Sequence, residues 1–196
     1  GIHTTLKSQY GSYNTWQTAL SNMVRMGRFS SLVTMGYDRT DGMVENFDFK
    51  QINLYAKIGY ELSRYFRLSA DYSLVNIKGN DPIYAQLRNA SYIIHQNITR
   101  GETSLAFSNK FQNTDGAVRF YYSYGNHYID DPKHFHSLDD RFGLIAYQNV
   151  NVWQHATGTI GFDFNTYRGK IPMSGGSTSG AGTLEHKSIT EYSPYL

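Results

Sequence analysis

The feature that most constrains this chain is a strict alternation of apolar and polar side chains, repeated in stretch after stretch. Phe66, Leu68, Ala70, Tyr72 and Leu74 interleave with Arg67, Ser69, Asp71 and Ser73. Ile52, Leu54, Ala56, Ile58, Tyr60 and Leu62 interleave with Asn53, Tyr55, Lys57, Gly59 and Glu61. Val118, Phe120, Tyr122 and Tyr124 interleave with Ala117, Arg119, Tyr121 and Ser123. A period of two is the period of a β-strand, one face in a dry phase and the other in a wet one. Charges respect the same parity. No ionised side chain stands among Phe29, Val33, Met35 and Tyr37, or among Leu105, Phe107 and Phe111. None stands among Phe142, Leu144 and Ala146, or among Ile160, Phe162 and Phe164, whereas Asp38, Lys110, Arg141 and Asp163 take the opposite parity.

The dry phase is either a protein core or lipid. A soluble sandwich or a lipocalin-like barrel shows the same parity when its apolar residues point inward. In a membrane wall a charge on the lipid face costs about 2–4 kcal/mol near the midplane, so its absence there is expected. Three details favour lipid. The alternating runs exceed the roughly five or six residues usual for soluble strands. The polar parity is rich in Ser, Thr, Asn, Gly and Tyr, and charged residues make up only 17% of the chain, against about 25% in average soluble domains. Tyr10, Tyr13, Trp16, Tyr37, Tyr65, Tyr128, Trp153 and Tyr167 gather near run ends, where aromatic girdles sit in membrane proteins. A mean hydropathy of −0.50 does not oppose this, because a barrel wall averages a lipid face with a watery one.

The coarse organisation is nearly all strand: Thr4–Ser12, Thr15–Met26, Phe29–Asp38, Phe49–Leu62, Phe66–Ile77, Tyr92–Gln112, Ala117–Tyr128, Asp140–Asn149 and Gln154–Tyr167, with another starting near Ser188. Tight turns are expected at Met26-Gly27-Arg28, Ser63-Arg64-Tyr65 and Asn113-Thr114-Asp115-Gly116. Longer links span Arg39–Asp48, Lys78–Asn89, Ile129–Leu138 and Arg168–Lys187, the last holding a Gly/Ser-rich tract. Short and long alternate, as they do between the periplasmic and external ends of outer-membrane barrels. The expected fold is therefore all-β: a single antiparallel, up-and-down transmembrane β-barrel wall over residues 1–196, a partial barrel with short periplasmic turns and long external loops. No apolar run approaches the ~18 residues of a membrane helix. Cysteine is absent, which removes disulfides, thiolate metal sites and cysteine nucleophiles. A net charge of +2 implies no nucleic-acid partner.

Several short strings resemble the barrel of TonB-dependent outer-membrane receptors. Tyr10-Gly11-Ser12-Tyr13-Asn14-Thr15 resembles the first barrel strand, and Thr40-Asp41-Gly42 with Glu45-Asn46 resembles the first long external loop. Ile98-Thr99-Arg100-Gly101, Leu105, Asn109, Phe111 and Asp115-Gly116 follow, then Gly125-Asn126-His127, Asp130-Asp131, Gly161-Phe162-Asp163 and Gly169-Lys170, in an order that resembles a middle section of that barrel. Receptors of this kind are plugged barrels of about 22 strands. Nothing here resembles the plug, and Leu196 falls within an alternating run, so the expectation is the first portion of a larger receptor's wall in a bacterial outer membrane. The resemblance implies active uptake of a scarce nutrient (a siderophore, cobalamin, a metal chelate or a glycan). It also implies contact with outer-membrane lipid, and coupling to the TonB complex through a plug this chain lacks. A soluble lipocalin-like binding protein and a small passive porin or structural barrel are the alternatives. An isolated wall with two open edges is expected to curl closed, to self-associate or to need detergent.

Candidate ligand contacts crowd one expected external loop: His127, Asp130, Asp131, His134 and His136. His134 and His136 flank Phe135, so in an extended segment both imidazoles would face one way and could share a metal. The plainer reading is a solvated polar loop. The lumen-parity charges Lys57, Glu61, Arg67, Asp71, Lys110, Arg119, Arg141 and Asp163 are expected to form structural ion pairs more than substrate contacts. No phosphate loop, carboxylate dyad or EF-hand appears, so neither catalysis nor a cofactor is expected.

Overall fold

The computed structural model describes residues 1–81, 93–131, 134–153, 156–171 and 186–196. Ten strands form a single sheet in chain order, each antiparallel to the next. They are β1 (Ile2–Gly11), β2 (Thr15–Met26), β3 (Phe29–Thr40), β4 (Phe49–Glu61), β5 (Phe66–Asp81), β6 (Ile94–Lys110), β7 (Thr114–Asp130), β8 (Phe135–Trp153), β9 (Ala156–Lys170) and β10 (His186–Tyr195). β1 is paired with β2 alone and β10 with β9 alone, so the sheet is unclosed and has two free edges. One register shift, between Asn151 and Trp153, interrupts the β8–β9 ladder.

Register preserves the parity read from sequence. Ile58, Ala70, Leu105, Phe120, Leu144 and Phe164 form one continuous row across six strands. Lys57, Asp71, Ser104 and Tyr121 form another on the opposite face. No described side chain is fully buried, and the buried non-glycine residues, Ile94, Tyr121 and Ser104, all lie on the polar face. The apolar face is the open one: Ile58 is 52% exposed, Leu105 49% and Phe120 47%. Within a single layer a side chain is covered only where neighbours lean over it. That happens here on the polar side, the reverse of a soluble sandwich.

Links at one end of the sheet are brief, spanning residues 27–28, 62–65, 111–113 and 154–155. At the other end they include 12–14, 41–48 and 131–134, while most of the expected links over Lys78–Asn89 and Arg168–Lys187 lies outside the described residues. The expected link over Ile129–Leu138 is thus largely strand. β7 runs on to Asp130, and β8 begins at Phe135 instead of Asp140. The physical reason is visible in the side chains. Toward this end Asn126, Tyr128 and Asp130 replace the apolar row of β7, so the hydropathy contrast vanishes while the backbone ladder continues. Two turns match their residues closely. Gly27 takes φ +54° at the first central position of a two-residue hairpin, where type II′ turns place glycine. Tyr13 and Asn14 both have positive φ, and Thr15 N–H donates to Ser12 O at 3.1 Å, a type I′ closure.

Candidate functional site

Two groups of residues on the polar face can do chemistry: a charged network at mid-height and a hollow at the long-link end. The network centres on Arg119 of β7. Its guanidinium lies 3.1 Å from Glu102 Oε1 and 3.5 Å from Asp71 Oδ1, while Ser104 Oγ donates to Asp71 Oδ2 at 2.6 Å. β5, β6 and β7 bring these together because Asp71, Ser104 and Tyr121 share a register row and Glu102 stands opposite Ser123, one step along. Arg141 donates to Asn165 Oδ1 at 2.9 Å, and its guanidinium carbon lies 4.9 Å from the Tyr121 ring centroid and 4.8 Å from that of Tyr167. Tyr121 hydroxyl donates to the same Asn165 oxygen. Farther along, Arg67 donates to Ser30 Oγ at 2.8 Å, and Arg25 pairs with Glu61 at 3.3 Å. Four of these contacts, Arg119 to Asp71, Tyr121 to Asn165, Arg67 to Ser30 and Arg25 to Glu61, reach across an intervening strand and tie the polar face together.

The hollow lies beneath the link 41–48, with a volume of about 600 Å³. Met43, Val44 and Phe47 of the link line it together with Phe49 and Ile77, and Thr40 and Gln96 supply its polar side. Backbone hydrogen bonds anchor the link: Asp41 N–H to Tyr13 O at 2.9 Å, Phe47 N–H to Val44 O at 3.1 Å, and Asn80 N–H to Asp48 O at 3.1 Å. Gly42 has φ +80°, and a Cβ there would lie 2.2 Å from Phe47 O, so only glycine fits. Asp41 accepts from Asn14 Nδ2 and from Arg39, both at 3.0 Å, and these contacts hold its carboxyl below the ordinary carboxylate value. Apolar walls with a few polar groups suit a small ligand carrying an apolar or aromatic body. Sequence reading passed over this hollow, although four apolar residues, Met43, Val44, Phe47 and Phe49, in and beside an external link were its signal.

The histidine-rich segment is dispersed. His127 lies on the polar face against Phe135, ring centroids 5.8 Å apart. His136 lies on the other face, its Nε2 2.9 Å from Asn126 Oδ1 and its ring 5.9 Å from that of Tyr128. His134 sits in the turn with φ +46°, so alternation does not extend to it; its Nδ1 is 2.6 Å from Asp130 Oδ1. Asp131 Oδ1 accepts from Phe135 N–H at 3.0 Å. No group of three or more metal-capable side chains is found among the described residues. No protein-family model matches this chain, and neither does any curated protein.

Proposed function

We propose that this chain is wall and external loops of a bacterial outer-membrane β-barrel, of the TonB-dependent receptor kind, whose parent takes up a scarce nutrient. The observation that carries this reading is the open apolar band. It runs from Ile52 to Tyr60 in β4 and from Phe66 to Leu74 in β5, nine residues each. At a rise of about 3.4 Å per residue and a tilt of about 45°, such a span is roughly 22 Å tall, close to the ~25 Å apolar belt of barrel walls. Above it the same face turns polar, with Asn76, Lys78 and Asn80 in β5 and Asn126, Tyr128 and Asp130 in β7. Two unpaired edges suit a segment of a larger wall. In this reading the hollow under residues 41–48 and the turn bearing Asp130 and His134 face the exterior and belong to nutrient capture, with plug and TonB coupling supplied elsewhere.

A small self-contained barrel is the second reading. It is favoured by the even strand number, which makes β1 and β10 antiparallel if their edges meet. A lipocalin-like protein is disfavoured because its apolar parity would have to be the covered one. Folding the chain into phosphatidylcholine vesicles and following band shift on unheated gels tests the membrane reading. A folded, protease-resistant form only with lipid supports it, and a monodisperse folded monomer in detergent-free buffer that binds no hydrophobic dye refutes it.

A further inference from the structure

Three cations stand side by side where the apolar band ends. Arg39 of β3 is the register partner of Lys50 in β4, and Lys50 is the partner of Lys78 in β5. Directly opposed residues share a face, and like charges so placed repel. Lys50 and Lys78 are exposed and form no ion pair among the described residues. Arg39 has one acidic neighbour, Asp41 at 3.0 Å, which also accepts from Asn14. Elsewhere at the same margin the fold neutralises its cation: Arg168 of β9 donates twice to Asp140 Oδ2, at 2.9 and 2.5 Å. The row on β3–β5 therefore carries two cations, Lys50 and Lys78, that no ion pair among the described residues neutralises, beside an Arg39 already paired with Asp41.

Its surroundings say what kind of anion fits. One step toward mid-sheet on the same face stand Tyr37, Ile52 and Asn76, and the next step is Met35, Leu54 and Leu74. Trp16 is the register partner of Arg39, and its ring meets Tyr37 edge-on at 6.5 Å. A free anion would use only the cations. An amphiphile uses both, its negative head across the row and its chains down the apolar strip beside Trp16.

We propose that Arg39, Lys50 and Lys78 form a cradle for the phosphate-bearing headgroup of an anionic lipid on the lipid-facing surface of the wall, with phosphatidylglycerol as its probe. The inference rests on the membrane-wall reading above. A zwitterionic head carries its own ammonium and gains little from the row, so the cradle selects for net negative charge.

Tryptophan quenching tests it. The full chain carries two tryptophans, and Trp153 lies at the opposite end of the sheet, so W153F leaves Trp16 as the reporter. Mixed phosphatidylglycerol–phosphatidylcholine vesicles are prepared with bromine on the acyl chains of one lipid or the other. Brominated phosphatidylglycerol is expected to quench Trp16 more than brominated phosphatidylcholine. Lys50→Gln and Lys78→Gln should each reduce that preference roughly fivefold while quenching by brominated phosphatidylcholine persists. Lys57→Gln, on the opposite face of β4, should leave the preference intact. Equal quenching by both lipids, or a preference that survives the double substitution, overturns the cradle and leaves the membrane reading standing. No quenching by either lipid removes the membrane reading and the cradle with it. Loss of the preference in inorganic phosphate, but not in chloride of equal ionic strength, overturns the lipid assignment in favour of a free-anion site.

Discussion

Leu105 occupies the middle of the apolar face, in register with Ala70 on one side and Phe120 on the other, and is 49% exposed. Substituting arginine there discriminates between solvents by magnitude. If the face meets water, a half-exposed leucine in a single-layer sheet gives up little covered area, and the change stays within about 0.5 kcal/mol. If the face meets hydrocarbon near the midplane, the guanidinium costs about 2–4 kcal/mol, a shift of roughly 30-fold or more in the folded population. The control is Ser73→Arg on the polar face, whose register partner is Glu102. It places the same charge near a carboxylate and is expected to change stability by less than about 1 kcal/mol. Reversible urea unfolding from phosphatidylcholine vesicles, followed by tryptophan emission, measures both. Equal and small effects for the two variants would refute an apolar face in lipid, and equal and large effects would show that backbone disruption, not the solvent, dominates.

Gly42→Ala is expected to open the link 41–48, because it adds strain at φ +80° and a clash with Phe47 O. Faster hydrogen exchange at the Phe47 amide, with unchanged exchange in β7, is the expected signature, and an unchanged Phe47 would refute it. Asp41 has a folded pKa below its unfolded value, chiefly through its hydrogen bond from Asn14 and then that from Arg39. Its contribution is therefore fully present above the ordinary carboxylate range and is lost as pH falls through the lower folded value. The anchoring of the link should weaken only in acid, and Asp41→Asn should abolish that pH dependence; an acid response unchanged in the variant would contradict it. Arg119→Met strands Asp71 and Glu102 on the polar face. A loss of about 1–2 kcal/mol is expected, discounted for partial exposure, and Asp71→Asn in the same background should recover part of it.

Much of the fold was legible because alternation is a local property. The row through Leu68, Ala70 and Tyr72 shows its parity without reference to any other strand, and the parity of Arg67 and Asp71 follows from it. Strand ends were less legible. β7 and β8 continue past the apolar band with polar residues on both faces, so Asn126 to Asp130 and His136 to Asp139 carry no hydropathy contrast to read. The candidate site was read in part. Of the charged lumen positions, Glu61, Asp71 and Arg119 form ion pairs, whereas Arg67 and Arg141 hydrogen-bond to neutral side chains; the histidine segment, read as one crowded loop, is split. A register that sets His127 opposite Ser137, and Tyr128 opposite His136, puts the imidazoles of His127 and His136 on different faces, and the positive φ of His134 removes it from the alternation that would have aligned it with His136.

By itself, the order of residues determined an all-β chain, the parity of each strand, the placement of charges away from the apolar face and the sites of tight turns such as that at Gly27. Each of these follows from side-chain spacing along one strand and from turn residues such as Gly27. Only the tertiary structure decided which distant residues meet. It set Arg39, Lys50 and Lys78 in one row, gathered Asp71, Glu102 and Arg119, lined a hollow with Met43 and Phe47, and left the polar face as the covered one. The reason is that cross-strand register depends on pairing between segments far apart in sequence. A slip of two residues would keep every parity intact while exchanging every neighbour.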